Sequence, residues 1–130
     1  MFSHVTLGVS DFEAAFRFYA PLLEMLGLEL KFREDGRPWA GWKAPGADRP
    51  LFIIGRPFNG GAPAPGNGAM TAFLAPDRAT VDAVFRSAIA AGAGSEGEPG
   101  LRPEYHPNYY GAYFRDLDGN KLCVCRHDRP

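Results

Sequence analysis

Two junctions of the same kind, Ser10-Asp11 and Pro76-Asp77, lie 66 positions apart, and each is followed by the same succession of elements. Before the first, His4 to Val9 alternates as a strand. After it, Ser10-Asp-Phe-Glu13 has capping-box spacing, and Phe12, Ala15, Phe16, Tyr19, Leu22, Leu23 and Leu26 form one apolar stripe. That pattern predicts a helix starting at Ser10, kinked or restarted at Pro21 and stopped by Gly27. Leu28 to Arg33, Trp39 to Lys43 and Leu51 to Gly55 then read as strands, divided by turns at Asp35-Gly36 and Ala44-Pro-Gly46. In the second half Met70 to Ala75 is a strand, and Val81, Val84, Phe85, Ala88 and Ile89 mark a helix from Pro76-Asp77 to Gly92. A short extended segment within Ser95 to Arg102 and the strands Gly111 to Arg115 and Lys121 to Arg126 complete it, the last two joined by a two-residue Asp-Gly turn.

Each half is therefore one strand, one helix and three strands. The last strands of the halves align with a shift of 70, which sets Ile53 opposite Cys123, while the shift of 66 sets His4 opposite Met70. Internal symmetry of this kind marks a duplicated module. The expected fold class is α+β, with two βαβββ modules forming a concave mixed sheet around one cavity. Module 1 spans 1–57, a Gly/Pro-dense linker 58–68 and module 2 69–127, all within a single domain of 1–130. In that arrangement positions 4, 53, 70 and 123 come near one another.

Composition excludes several classes of function. The net charge is −1, and none of the 14 Lys and Arg residues cluster in one run, so the electrostatic footprint for nucleic acid or an anionic membrane is missing. No stretch approaches the roughly 20 apolar residues of a membrane span, and Met-Phe-Ser-His lacks the basic and apolar regions of a signal peptide. A cytoplasmic location is expected. No Ser-His-Asp spacing, P-loop or dinucleotide fingerprint occurs.

Chemistry concentrates between Tyr105 and Arg126. His106 stands among tyrosines, where it either serves as a general acid or base or orders its loop by hydrogen bonding to nearby backbone. Period two sends Tyr109 and Tyr113 to one face of a strand and Tyr110 to the other, one face being core and the other a candidate pocket wall. Cys123 and Cys125, two apart on the final strand, are expected to face away from each other and to serve as small core hydrophobes. His127 reads as solvated tail. Trp39 and Trp42 have opposite parity, so one enters the cavity of the first module and the other meets a partner or solvent. Arg56 and Arg126 hold equivalent positions just past the closing strands, either as solvated strand ends or as anion-binding groups.

The order and spacing of several pieces resemble the vicinal oxygen chelate superfamily of glyoxalase I, bleomycin-resistance proteins and extradiol dioxygenases. They are Ser3-His4-Val5-Thr6-Leu7-Gly8-Val9 with Asp11 and Phe18-Tyr19, Gly66-Asn-Gly68 leading into Ala72-Phe73-Leu74-Ala75-Pro76, Val81-Asp82-Ala83-Val84-Phe85, and Tyr105-His-Pro-Asn-Tyr-Tyr110 running into Asp116-Leu-Asp-Gly-Asn120. The resemblance implies a small-molecule cavity, a homodimer and, in metal-dependent members, a divalent ion held by His, Glu or Gln that activates a substrate with two neighbouring oxygens. His4 stands at the first ligand position, but Met70 replaces the second His, Cys123 the usual Glu, and Ile53 is apolar. One such ligand does not hold Mg, Mn, Ni or Zn. The remaining His, Met and Cys suit Cu(I) or a closed zinc thiolate site, unless the positions have simply been refilled by apolar residues.

Two functions follow. The first is an enzyme, a lyase or isomerase acting on a small oxygenated molecule with a degenerate metal site, His4 and His106 supplying the polar chemistry. The second is a binding or sequestering module for a planar or aromatic ligand, with no turnover. In both, Trp42, Tyr105, Tyr109, Tyr110, Tyr113, Met70 and Cys123 line the ligand site; no cofactor is expected beyond the divalent metal.

Overall fold

A computed structural model describes residues 1–130, which divide into two compact units, Met1–Pro65 and Gly66–Pro130. The first contains β1 (His4–Gly8), α1 (Phe12–Met25), β2 (Glu29–Glu34), β3 (Trp39–Lys43) and β4 (Leu51–Gly55). Its four strands form an open mixed sheet in the order β1-β4-β3-β2, with β1 and β4 parallel. The second contains β5 (Thr71–Leu74), α2 (Arg78–Ala90), β6 (Gly94–Leu101), β7 (Tyr110–Arg115) and β8 (Lys121–Arg126). Its sheet repeats the order as β5-β8-β7-β6, with β5 and β8 parallel. The α+β class and the two βαβββ modules are those expected.

Strand register supports the duplication quantitatively. Thr6 lies level with Ile53 in the first unit and Ala72 with Cys123 in the second, so both shifts read from the sequence hold in the parallel pairs.

The first helix departs from expectation at both marked residues. Asp11, not Ser10, is the N-cap, accepting a hydrogen bond from the Ala14 N–H at 3.1 Å. Glu13, in the first turn, pairs with Arg33. At Pro21 the helix does not restart but continues to Met25. Burial of Tyr19, Leu22 and Leu23 on either side outweighs the backbone bond that proline removes. Gly27 closes the helix at φ 79°, the left-handed region open to glycine. Asp77 caps α2 as anticipated, accepting from Thr80 N–H and Oγ1, both at 2.7 Å.

Parity in the sheets decides which side chains meet the helices. Trp42 stacks on Phe16 at 5.6 Å, and Phe52 meets Tyr19 at 5.4 Å, so this face of the first sheet lies under α1. Trp39 takes the opposite face against Phe32 and Arg37. In the second unit Phe114 packs on Phe85 and Tyr110 donates to Asp82 at 2.6 Å, which puts both beneath α2. Tyr109 and Tyr113 take the other face.

Two expectations about the final hairpin are corrected. Its turn is not two residues long: Asp116 and Asn120 close a three-residue loop, Leu117–Gly119, with the Gly119 N–H bonded to the Asp116 carbonyl and Gly119 at φ 92°. This is the familiar three-residue hairpin ending in a left-handed glycine. The two cysteines, moreover, do not face apart. A strand repeats every two residues, so Cys123 and Cys125 share a face, and both pack with Tyr109.

Candidate functional site

The face of the second sheet turned away from α2 gathers most of the chemistry-bearing side chains of its unit. Tyr113 pairs across the ladder with Cys123, and Gly111 with Cys125. The segment before β7 folds back on itself through Arg102 N–H to the Tyr109 carbonyl, 2.9 Å, and Tyr109 N–H to the His106 carbonyl, 3.2 Å. This fold lays the Tyr109 ring over Gly111. A Cβ at Gly111 would stand 2.8 Å from a Tyr109 ring carbon, so only glycine admits the ring. Gly111→Ala is expected to cost about 2 kcal/mol through this overlap, read as a lowered melting temperature; an unchanged melting point would show that the ring is not held there.

Tyr109 is the centre of the arrangement. Its hydroxyl lies 3.0 Å from that of Tyr113 and 3.4 Å from Cys123 Sγ, and its ring meets Tyr105, His106 and His127 edge-on. Burial and the hydrogen bond to Cys123 push its ionisation far above the ordinary tyrosine range, and burial raises Tyr113 as well. Both hydroxyls therefore remain protonated at neutral pH and act as hydrogen-bond donors. Tyr110 is also raised, by its bond to Asp82, but it belongs to the helix face.

Beside these rings opens a cleft of about 500 Å³ lined by Met70, Tyr105, Tyr109, Tyr113, Arg115 and Lys121, together with Asn67 and Gly68. The lining contains two cations and no carboxylate. Arg115 is held by Glu96 at 2.5 Å and by the Gly119 carbonyl at 2.9 Å, and the Lys121 ammonium sits 5.7 Å from the Tyr113 ring centre.

Beyond Tyr109, the His106 Nε2 lies 2.9 Å from the His127 Nδ1, with the two rings stacked. The His127 Nε2 is 3.7 Å from the Cys125 Sγ. His106 thus turns toward a second imidazole and does not line the cleft. The reading of His127 as solvated tail is half right: it is exposed, yet it is a member of this cluster. The signal was its position two residues beyond Cys125, where strand parity carries it to the same face.

Of the residues singled out from the sequence, Tyr105, Tyr109, Tyr113 and Met70 come together in the cleft, and Cys123 is buried behind Tyr109. Tyr110 lies on the far side of its sheet. Trp42, 3% exposed, belongs to the first unit and packs under α1. His4 is exposed, bonded through Nδ1 to the Ser3 hydroxyl at 2.9 Å, and stands on the strand beside Leu51 and Ile53. Arg126 pairs with Asp128 and donates to the Ala75 carbonyl, which accounts for it as a strand end. Lys121, Arg115, Cys125 and His127 were not anticipated as site residues.

These donors do not fit the divalent centre that the resemblance implies. No group of three or more His, Cys, Asp or Glu side chains is arranged to hold a metal ion. Met70 offers only a thioether, and the Cys123 thiol, raised by Cys125 and by burial, is closed in behind Tyr109, whose hydroxyl is 3.4 Å away.

Comparison with known proteins adds the following. The family model described as Glyoxalase/Bleomycin resistance protein/Dioxygenase superfamily matches residues 1–124. A glyoxalase/bleomycin resistance protein from Albidiferax ferrireducens T118 is 36% identical, covers 100% of this chain and 99% of its own, and superposes with a TM-score of 0.83. A glyoxalase-related enzyme from Fulvimarina pelagi, at 23% identity and TM-score 0.71 over 97% of this chain and 87% of its own, shares the fold. So does a glyoxalase/bleomycin resistance protein/dioxygenase family enzyme from Burkholderia phytofirmans PsJN, at 18% identity and TM-score 0.70 over 97% and 98%. No curated protein matches the chain.

Proposed function

The chain belongs to the glyoxalase/bleomycin resistance protein/dioxygenase superfamily, and within that family we propose that it binds a small, planar, oxygenated organic anion in the cleft of its second unit. The observation that carries this reading is the make-up of that cleft: three tyrosine rings, a methionine and two cations, without a carboxylate. Aromatic walls give area for a flat ligand, the Tyr113 hydroxyl gives a directed donor, and Lys121 gives charge complementarity to a carboxylate or phenolate. A metal-assisted lyase or isomerase activity lacks a donor set to support it, so binding is the stronger reading.

Salicylate, flat and anionic with neighbouring oxygens, is a suitable probe. Calorimetry with excess EDTA should give saturable binding, and Lys121→Ala should weaken it about tenfold, the loss expected for one charge-assisted hydrogen bond. Tyr110→Phe, altered on the opposite face, should leave affinity unchanged. Absence of saturation up to millimolar salicylate, or binding only after Ni, Zn, Mn or Fe is added, would overturn the proposal.

A further inference from the structure

The cluster behind Tyr109 has no part in the cleft and a chemistry of its own. His106 Nδ1 accepts the Asn108 backbone N–H at 3.3 Å. In neutral His106 the ring proton therefore sits on Nε2 and is donated to His127 Nδ1 at 2.9 Å. His127 in turn carries its proton on Nε2, the atom 3.7 Å from the Cys125 Sγ. One backbone amide thus sets the tautomer of two imidazoles and aims an N–H at a sulfur.

The other groups around that sulfur are few. Cys123, on the same face, and Tyr109 pack against Cys125, and the Phe73 carbonyl on β5 is 3.8 Å away, placed to accept the proton of the neutral thiol. His127 thus directs an N–H at the sulfur, the kind of donor a thiolate requires.

We propose that Cys125 is a nucleophilic thiolate site for small α,β-unsaturated carbonyl compounds, with His127 donating to the sulfur and His106 as the positioning residue that fixes the His127 tautomer. The thiol ionises by giving its proton to water. The sulfur then attacks the β-carbon, forming the C–S bond, and the C=C π pair shifts to the carbonyl oxygen as an enolate. Water returns a proton to the α-carbon, so the adduct forms with no leaving group and no change of redox state in the surroundings. Cys125 is 5% exposed, and its neighbour His127 is at the surface.

Cys123, more than the opposing burial, holds the Cys125 thiol down to about 6, with Tyr109 and His127 adding to the effect. Because the folded value is depressed, the reactive form is present above that pH and lost as pH falls through it.

Acrylamide, a small conjugated carbonyl, tests the site on the native protein by peptide mass spectrometry. At pH 7 Cys125 should be alkylated at least tenfold faster than Cys123, which is fully buried and serves as the internal control. The rate should be half-maximal near pH 6. In His127→Ala the rate at pH 7 should fall and the midpoint should move toward the ordinary thiol value of about 8.5; His106→Ala should move it in the same direction, whereas His106→Gln, which keeps a donor, should restore part of it. Both histidines are at the surface side of the cluster, and circular dichroism of each variant confirms folding. Labelling of Cys125 only after denaturation, equal labelling of the two cysteines, or a midpoint indifferent to His127 would overturn the proposal. None of these outcomes depends on what occupies the cleft.

Discussion

Tyr109→Ala is expected to remove about 3–5 kcal/mol of stability from the second unit, the usual consequence of deleting a buried aromatic ring. Tyr109 is 9% exposed, and its ring packs on both cysteines while touching Tyr105, His106 and His127. Its loss leaves a cavity over Gly111, where no side chain exists to fill it. Hydrogen exchange of the β7 and β8 amides reads the effect locally. Tyr109→Phe keeps the ring and loses only the bonds to Tyr113 and Cys123, so about 1 kcal/mol is expected. A loss under 1 kcal/mol in the alanine variant would mean that the ring is not a packing element, and the description of the site would have to be redrawn.

Asp116→Ala is the second large effect, expected to cost about 3 kcal/mol in urea denaturation. The Asp116 side chain is buried and accepts from Asp118 N–H at 2.9 Å, Asn120 N–H at 2.8 Å and Asn120 Nδ2 at 2.9 Å. Alanine abandons all three donors, two of them on a residue that is itself buried. Because these bonds fix the loop Leu117–Gly119, they also set the register of β8 on β7, and with it the height of Cys123 opposite Tyr113. Asp116→Asn, which retains one acceptor oxygen, should lose roughly half as much. Equal stability of wild type and alanine variant would show that Gly119 alone holds the turn.

The Asp-Gly signal found this hairpin but misjudged its length. A left-handed glycine serves a two-residue and a three-residue loop equally well, and the choice rests with the Asp116 side chain bonding forward to Asn120. The helix start expected at Ser10 moved by one residue for a similar reason. Ser10 and Asp11 are both competent caps, and it is Asp11 that accepts from the Ala14 N–H, while Glu13 meets Arg33 from β2. Local spacing offers alternatives, and a residue distant in sequence selects among them.

The candidate site divides along the same line. The shared face of Tyr109 and Tyr113, and the opposite face of Tyr110, follow from strand parity alone, which acts over two residues and needs no knowledge of the rest of the chain. Trp39 and Trp42 separate by the same rule. Which of the two tryptophans lies under the helix was not readable, because it depends on where the apolar stripe of α1 settles, against Trp42 and Phe52.

By itself, then, the sequence determined the repeated strand-helix-strand order, the shifts of 66 and 70 that relate the halves, and the alternation of faces along each strand. These are properties of short segments, written in hydrophobic period and turn chemistry. Only the tertiary structure decided that His127 meets His106 across 21 residues, that Tyr109 folds back over Gly111 to cover the cysteines, and that Lys121 and Arg115 flank the tyrosines in a cleft free of carboxylates. Such meetings require a loop to close and a sheet to fall into register, and their chemistry rests on distances of three to four ångströms that no local pattern encodes.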